Sequence, residues 1–287
     1  MIRAGELVAF PTETVYGLGA NALDPAAVEK IYAAKGRPPG SPLIVHVDSI
    51  EMALALVRER PDRAEKLARR FWPGPLTLVL PKQPHVPDRL TAGLDTVGIR
   101  MPANRIALAL IQESGLPVAA PSANRFGELS PTAAEHVRAA MGDRVAMVLD
   151  GGRTTVGIES TVLSLAGPEA ILLRPGMVSQ AEIEKVIGPV QLARATLAET
   201  AHLSPGLHRR HYSPRTPLIL VKPGQPSSSG SGIRLQMPAD PSEYAAVLYE
   251  RLHQADSGNW DWIEIELPPD DPAWVAIRDR LERAAAR

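Results

Sequence analysis

Two stretches set chemically capable side chains closer together than a packed core tolerates without partners. "FPTETVYGLG" ends an apolar run against Thr12, Glu13, Thr14 and Tyr16, and "AAKGRPPGSPLIVHV" places Lys35 and Arg37 two positions apart ahead of a Pro-rich loop. A buried hydroxyl or carboxylate left unpaired costs about 1–3 kcal/mol, more when charged. The first stretch therefore needs partners from the fold or from a ligand. The second offers two cations on a stiffened loop, an arrangement suited to phosphate: an arginine fork grips two oxygens, lysine acts as a point charge, and proline lowers the ordering cost. The ordinary alternative is a solvated helix C-terminus delivering Lys35 and Arg37 to the surface, where they complement the helix dipole.

Other polar residues gather where apolar runs end. "APSANRFGELSPT" offers Ser122, Asn124 and Ser130, "TVGIRMP" places Thr96 and Arg100 at the two ends of one run, "GIESTVLSL" offers Glu159, Ser160 and Thr161, and "LLRPG" adds Arg174. Taken singly, each has a plain structural reading. Asn and Ser bond their own backbone in turns, an edge arginine is solvated or paired, and His46 inside "LIVHV" reads as a hydrogen-bonded core residue. Together they describe a pocket for a small anionic ligand and a polar companion. "GLGANA" matches a dinucleotide fingerprint only nominally, because the residues between Phe10 and Gly17 separate it from the preceding strand. There is no Walker-A sequence and no H-E-x-x-H.

Alternating elements must position these residues. Periodicity predicts strands at 6–10, 43–47, 76–80, 97–101, 118–120, 147–149, 161–165 and 171–173. Asp24-Pro25 opens a helix that Gly36 ends, Ser130-Pro131 opens one ending at Gly142, and Ser179 with Glu182 forms a capping box. Several connections are too short for crossover helices, so an α/β (α+β) fold with a mixed sheet is expected. Three regions follow: a large α/β domain at 1–187, a Pro-, Arg- and His-rich linker at 188–217, and a small α/β unit at 218–287. In the last, strands are expected at 218–221 and 262–267, helices at 242–253 and 274–285, and a flexible loop at "KPGQPSSSGSG".

Composition narrows the classes. The chain has 287 residues, 45% of them hydrophobic, and a net charge of -1, which excludes a globally basic nucleic-acid binder but allows a local basic cleft. Zero cysteines exclude disulfides, thiolate metal sites and a cysteine nucleophile. The opening "MIRAGELVAF" has no charged-then-apolar leader, and no apolar run approaches the roughly 18 residues of a membrane span, so a cytoplasmic, non-membrane protein is expected.

In order, "FPTETVYGLG", "KGRPPGSPLIVH", "GIRMP", "PSANRFGELSPT", "STVLSL" and "LLRPG" closely resemble the YrdC-like family over residues 1 to about 190. The linker "SPGLHRRHYSPRTPL" followed by a small α/β unit resembles its longer, two-domain members, the threonylcarbamoyl-AMP synthases. The resemblance implies a twisted mixed sheet with an open, positively lined concave face and a shortened, Rossmann-like C-terminal domain. It implies an enzyme joining L-threonine, bicarbonate and ATP into threonylcarbamoyl-adenylate with release of pyrophosphate. Mg2+ would arrive with ATP, and no dedicated metal site or organic cofactor is expected. The product would pass to a downstream transferase complex that modifies tRNA, with weak tRNA binding as a further expectation.

The same resemblance assigns residues. Lys35 and Arg37 would be the catalytic cations and, with Ser41, Thr96, Ala120, Ser122, Asn124, Ser130, Arg174 and Tyr212, would hold ATP. Threonine would lie among Thr14, His46, Arg100, Ser122 and Ser160, with Arg100 bridging its carboxylate, while the linker's Tyr212 would fold over the nucleotide. Glu13 and Tyr16 either touch substrate or brace their loop. The chain departs from the family by opening nearly at its first strand, which makes an upstream start an expectation, and by a shorter C-terminal unit. Two rivals stand beside this reading: a tRNA- or double-stranded-RNA-binding module without catalysis, and a carbamoyl-transfer domain of the hydrogenase-maturation kind, which normally accompanies zinc-finger cysteines absent here.

Overall fold

The computed structural model describes residues 1–38, 40–193, 211–225 and 228–286. Pro39 and the part of the expected linker at 194–210 lie outside the described residues. All eight expected strands of the first region are present as β1 (Val8–Pro11), β3 (Ile44–His46), β4 (Leu76–Pro81), β5 (Thr96–Arg100), β6 (Val118–Ala119), β7 (Met147–Val148), β8 (Thr161–Ser164) and β9 (Ile171–Arg174). Two further strands, β2 (Tyr16–Asn21) and β10 (Gln191–Leu192), complete a ten-stranded mixed sheet ordered β10-β9-β8-β4-β5-β3-β6-β2-β1-β7.

β2 escaped the sequence reading because its glycines resemble a loop. They are there for packing. β1 and β2 form an antiparallel hairpin pairing Val8 with Gly19 and Phe10 with Gly17. A Cβ on Gly19 would lie 2.7 Å from the Phe10 ring and 3.1 Å from the Val8 carbonyl, so only glycine lets the hairpin close over Phe10.

Strand alternation sorts the sheet's two faces. Leu18, Val45, Leu78, Val97 and Ile99 enter the main core, which is also built from α1 (Pro25–Lys35), α3 (Asp62–Phe71) and α7 (Gln180–Ile187). On the other face, α5 (Arg105–Ser114) covers Val8, Phe10 and Val118, and a small cluster of Ile44, Val79, Val162 and Leu173 sits farther along. Between these clusters His46 and Arg100 stand side by side, because β3 and β5 are parallel with His46 in register with Arg100.

Local signals behave unevenly. Asp24 caps α1 through Ala26 N at 2.9 Å, and the Ser179–Glu182 capping box forms. The helix expected from Ser130 instead begins later, as α6 (Ala134–Met141) with no side-chain cap. The Ser130 hydroxyl is spent elsewhere: it donates to Glu159 Oε1 at 2.6 Å. Neither Lys35 nor Arg37 reaches the surface as their helix-end position suggests; both are buried.

The C-terminal unit is a three-stranded, wholly parallel sheet ordered β11-β13-β12, from β11 (Leu218–Val221), β12 (Gly232–Leu235) and β13 (Trp262–Glu266). β12 begins at Gly232, the last residue of the stretch read as flexible loop. The expected helices appear as α8 (Pro241–Asp256) and α9 (Val275–Ala285). The unit does not sit apart: Val15, Leu129 and Ile158 of the first region share one apolar cluster with Tyr212, Tyr249, Leu252 and Ile277. Gly157, at φ +81, lies so close to α8 that a Cβ would come within 2.1 Å of the Ala245 carbonyl.

Candidate active site

Residues from the β1–β2 hairpin, from β3, β5 and β9, and from the segments after α1, after β6 and before β8 converge on one cleft of about 540 Å3, counted to its open mouth. Of the assigned residues, Thr14, Arg37, His46, Arg100, Ala120, Ser122, Ser160, Arg174 and Tyr212 line it. Lys35, Ser41, Asn124, Ser130 and Thr96 do not; Thr96 lines a smaller depression of about 270 Å3 that shares Ile44 with the cleft.

The cations are held by backbone oxygens. Lys35 Nζ donates to the carbonyls of Ser122 at 2.6 Å and Asn124 at 2.5 Å, so it ties the 122–124 loop to α1 from behind the cleft. Burial, reinforced by Arg37, pushes its pKa well below that of an ordinary lysine. Arg37 donates to the carbonyls of Ser41 at 3.4 Å and Pro42 at 3.2 Å. Burial lowers its pKa to about 10, which still leaves it charged at neutral pH. Ser41 contributes its carbonyl, which also accepts from Tyr32. Arg174 donates from Nε to the Ser160 carbonyl at 3.1 Å and from Nη2 to the Ser160 hydroxyl at 3.2 Å, while that hydroxyl lies 2.8 Å from Thr77 Oγ1. Asn124 donates its amide to the Arg125 and Glu128 carbonyls, and its Oδ1 has no hydrogen-bond partner among the described residues.

The hairpin wall is largely self-satisfied. Thr12 Oγ1 donates to Val15 O and accepts from the amides of Thr14 and Val15. Tyr16 braces a distant loop, donating to Gly152 O at 2.7 Å and accepting from Gly151 N. Glu13 accepts from Ala103 N through Oε2, and its Oε1 lies 2.6 Å from Arg100 Nη2, a contact too bent for a hydrogen bond. Arg100 also donates to Thr14 Oγ1 at 2.9 Å and to Gly74 O at 3.2 Å. His46 Nδ1 has no hydrogen-bond partner among the described residues, and burial, reinforced by Arg100, lowers its pKa to about 3, so it is a neutral imidazole.

Tyr212 closes the far side. It is buried at a left-handed φ of 61, an uncommon conformation for a bulky residue, with its ring 5.8 Å from Tyr249 and its hydroxyl without a hydrogen-bond partner among the described residues. Behind it lies a group that the residue assignments missed. Glu159 lines the cleft, accepting from Ser130, from Tyr249 at 3.1 Å and from Arg280 at 2.7 Å. Burial pulls its pKa upward, but Arg280 and Arg174 outweigh burial and hold the carboxyl below the usual range. A signal for Arg280 exists in the sequence: it falls in helical register with Ala276, Ile277, Leu281 and Ala284, the one charge on the core-facing stripe of α9.

A family model described as "Telomere recombination" matches residues 1–176, and one described as "Threonylcarbamoyl-AMP synthase, C-terminal domain" matches residues 178–286. The chain belongs to the Sua5/YrdC family. It is 43% identical to a threonylcarbamoyl-AMP synthase of Bacillus subtilis, over 99% of this chain and 91% of that one. A Pyrococcus abyssi threonylcarbamoyl-AMP synthase is 53% identical over 77% of this chain and 66% of its own length. The crystal structure of P. abyssi Sua5 complexed with L-threonine superposes with a TM-score of 0.91 at 42% identity, covering 99% of this chain and 92% of that one. Among the described residues no helix is long and apolar enough to cross a membrane.

Proposed function

We propose that this enzyme of the Sua5/YrdC family makes threonylcarbamoyl-AMP from L-threonine, bicarbonate and ATP, acting as a nucleotidyltransferase. The observation that carries the reading is the single cleft into which Arg37, Arg174 and Arg100 converge beside Thr14, Ser122 and Ser160. Two cations with hydroxyls on one side suit a triphosphate. A third arginine next to a neutral imidazole suits an amino acid, whose carboxylate meets Arg100 and whose amine meets His46 Nδ1 as a hydrogen-bond acceptor.

In the reaction, the threonine amine condenses with bicarbonate to a carbamate and releases water. A carbamate oxygen then forms the bond to the α-phosphorus as the bond to pyrophosphate breaks. No protein nucleophile is required. Positioning of the two substrates and neutralisation of phosphate charge by Arg37 and Arg174 supply the acceleration. Lys35 acts by fixing the 122–124 loop. Mg2+ enters with the triphosphate as part of the substrate. The adenylate is hydrolysable, which gives Tyr212 a role in excluding water. Downstream, a transferase acting on tRNA consumes the product, and a cytoplasmic location fits that use.

Threonine-dependent pyrophosphate release with labelled bicarbonate is the test. Wild-type protein should turn over. Arg37→Ala and Arg174→Ala should each lose at least tenfold, about 1.4 kcal/mol of transition-state stabilisation. Wild-type rates in both variants would remove the phosphate role, and salt-steep RNA affinity without ATP turnover would replace the enzyme by an RNA-binding module.

A further inference from the structure

We propose that Arg280, carried by the last helix of the C-terminal unit, is a positioning residue of the anion pocket: it neutralises Glu159, a carboxylate in the cleft wall that would otherwise repel the nucleotide. The proposal rests on the ATP reading above.

Glu159 borders the same cleft as Arg37 and Arg174 and is 7% exposed. Left bare in that low-dielectric wall, its charge opposes any polyphosphate placed between those arginines. Arg280 is fully buried and meets Glu159 Oε2 at 2.7 Å. Its other donors reach the Pro175 carbonyl at 3.0 Å and the Glu159 carbonyl at 3.5 Å, so one planar fork spans both chain segments that carry Ser160 and Arg174. Arg280 also lies over the Tyr212 ring, 5.3 Å from its centroid, and its second carboxylate neighbour does not compete for the charge. Asp279 lies 2.5 Å from Arg280 Nη1 and is itself bridged by Arg283 at 2.9 Å, which balances two carboxylates against two guanidiniums.

Packing does not explain the pair. The seam is otherwise aromatic and aliphatic, with Tyr212, Tyr249 and Ile158 around it. A buried ion pair there is generally no more stabilising than an apolar pair of the same shape. The wall of an anion site gives the pair a purpose: Ser130 and Tyr249 need the carboxylate as acceptor, and Arg280 removes its charge from the ligand's field.

The test compares Arg280→Met, Glu159→Gln and the double variant R280M/E159Q by calorimetry with ATP and with inorganic pyrophosphate. R280M should weaken both at least tenfold, E159Q should change them less than threefold, and the double variant should return to within threefold of E159Q. A merely structural arginine would show no such rescue. The double variant leaves no unpaired charge and serves alone if R280M does not fold: binding within threefold of wild type supports the proposal, and a tenfold loss overturns it. R280M binding like wild type also overturns it. Wild-type protein that binds neither ligand refutes the ATP reading instead.

Discussion

Two buried glutamate–arginine pairs flank the cleft, Glu13 with Arg100 on the hairpin side and Glu159 with Arg280 on the opposite side. The first is internal to the large sheet: Arg100 ends β5, Glu13 sits in the β1–β2 turn, and the guanidinium itself faces the cleft. The second joins two units, and it is the carboxylate that faces the cleft while the arginine stands behind it. One pair offers a cation to a ligand; the other withdraws an anion. The same two residue types thus perform opposite electrostatic tasks according to which partner the backbone turns inward.

The largest expected effect follows from the hairpin pair. Arg100→Met should weaken threonine binding at least tenfold, about 1.4 kcal/mol, while ATP affinity stays within threefold; titration calorimetry with each substrate separates the two. Glu13→Gln sharpens the contrast, because it spares the guanidinium and should leave threonine affinity nearly intact. Unchanged threonine affinity in the arginine variant would break the comparison.

A smaller effect distinguishes a locally built wall from a docked one. Gly19→Ala places a methyl against Phe10 and should cost about 1 kcal/mol in chemical denaturation. Its effect should centre on the hairpin and leave the C-terminal seam unchanged in hydrogen exchange. Protection lost equally in α8 and α9 would mean that the two walls are not separable.

The smallest effect concerns pH. His136 of α6 and His253 of α8 stack at 3.9 Å between ring centroids, and His253 Nε2 donates to the Ser130 carbonyl. Glu135, Arg153 and Asp256 are the charges that act on the pair. Burial, reinforced by His253, lowers the His136 pKa to about 4, and burial lowers that of His253 as well. Groups so depressed contribute their full stability above the unfolded value of 6.5, and the contribution falls away as pH drops from there toward 4, where the unfolded chain binds more protons. Stability should therefore decline over that window, and His136→Asn should flatten the slope in thermal melts. An unaltered slope would exclude the stacked pair as its source.

Much of this was legible in the sequence because the strands are short apolar runs ended by polar residues, and the ends turned out to share a cleft. The exceptions have physical causes. The Gly17–Gly19 stretch reads as a loop when packing against Phe10 is invisible, and Ser130 reads as a helix cap when a buried carboxylate beyond hearing of local rules claims its hydroxyl. Lys35 and Arg37 follow helix-end grammar, yet burial turns them inward. Arg280 could be found as a charge on an apolar stripe and Glu159 as a polar residue at the entry of a strand, but nothing local links the two.

That distance in sequence has a temporal side. Glu159 and Arg280 lie 121 positions apart. At roughly 5–20 residues per second of synthesis, the nascent chain spends on the order of ten seconds with the acidic side of its pocket made and the guanidinium not yet emerged. Under the proposed ATP reading, nucleotide capture on the ribosome is disfavoured through that interval, and competence would arrive with α9 rather than with the sheet.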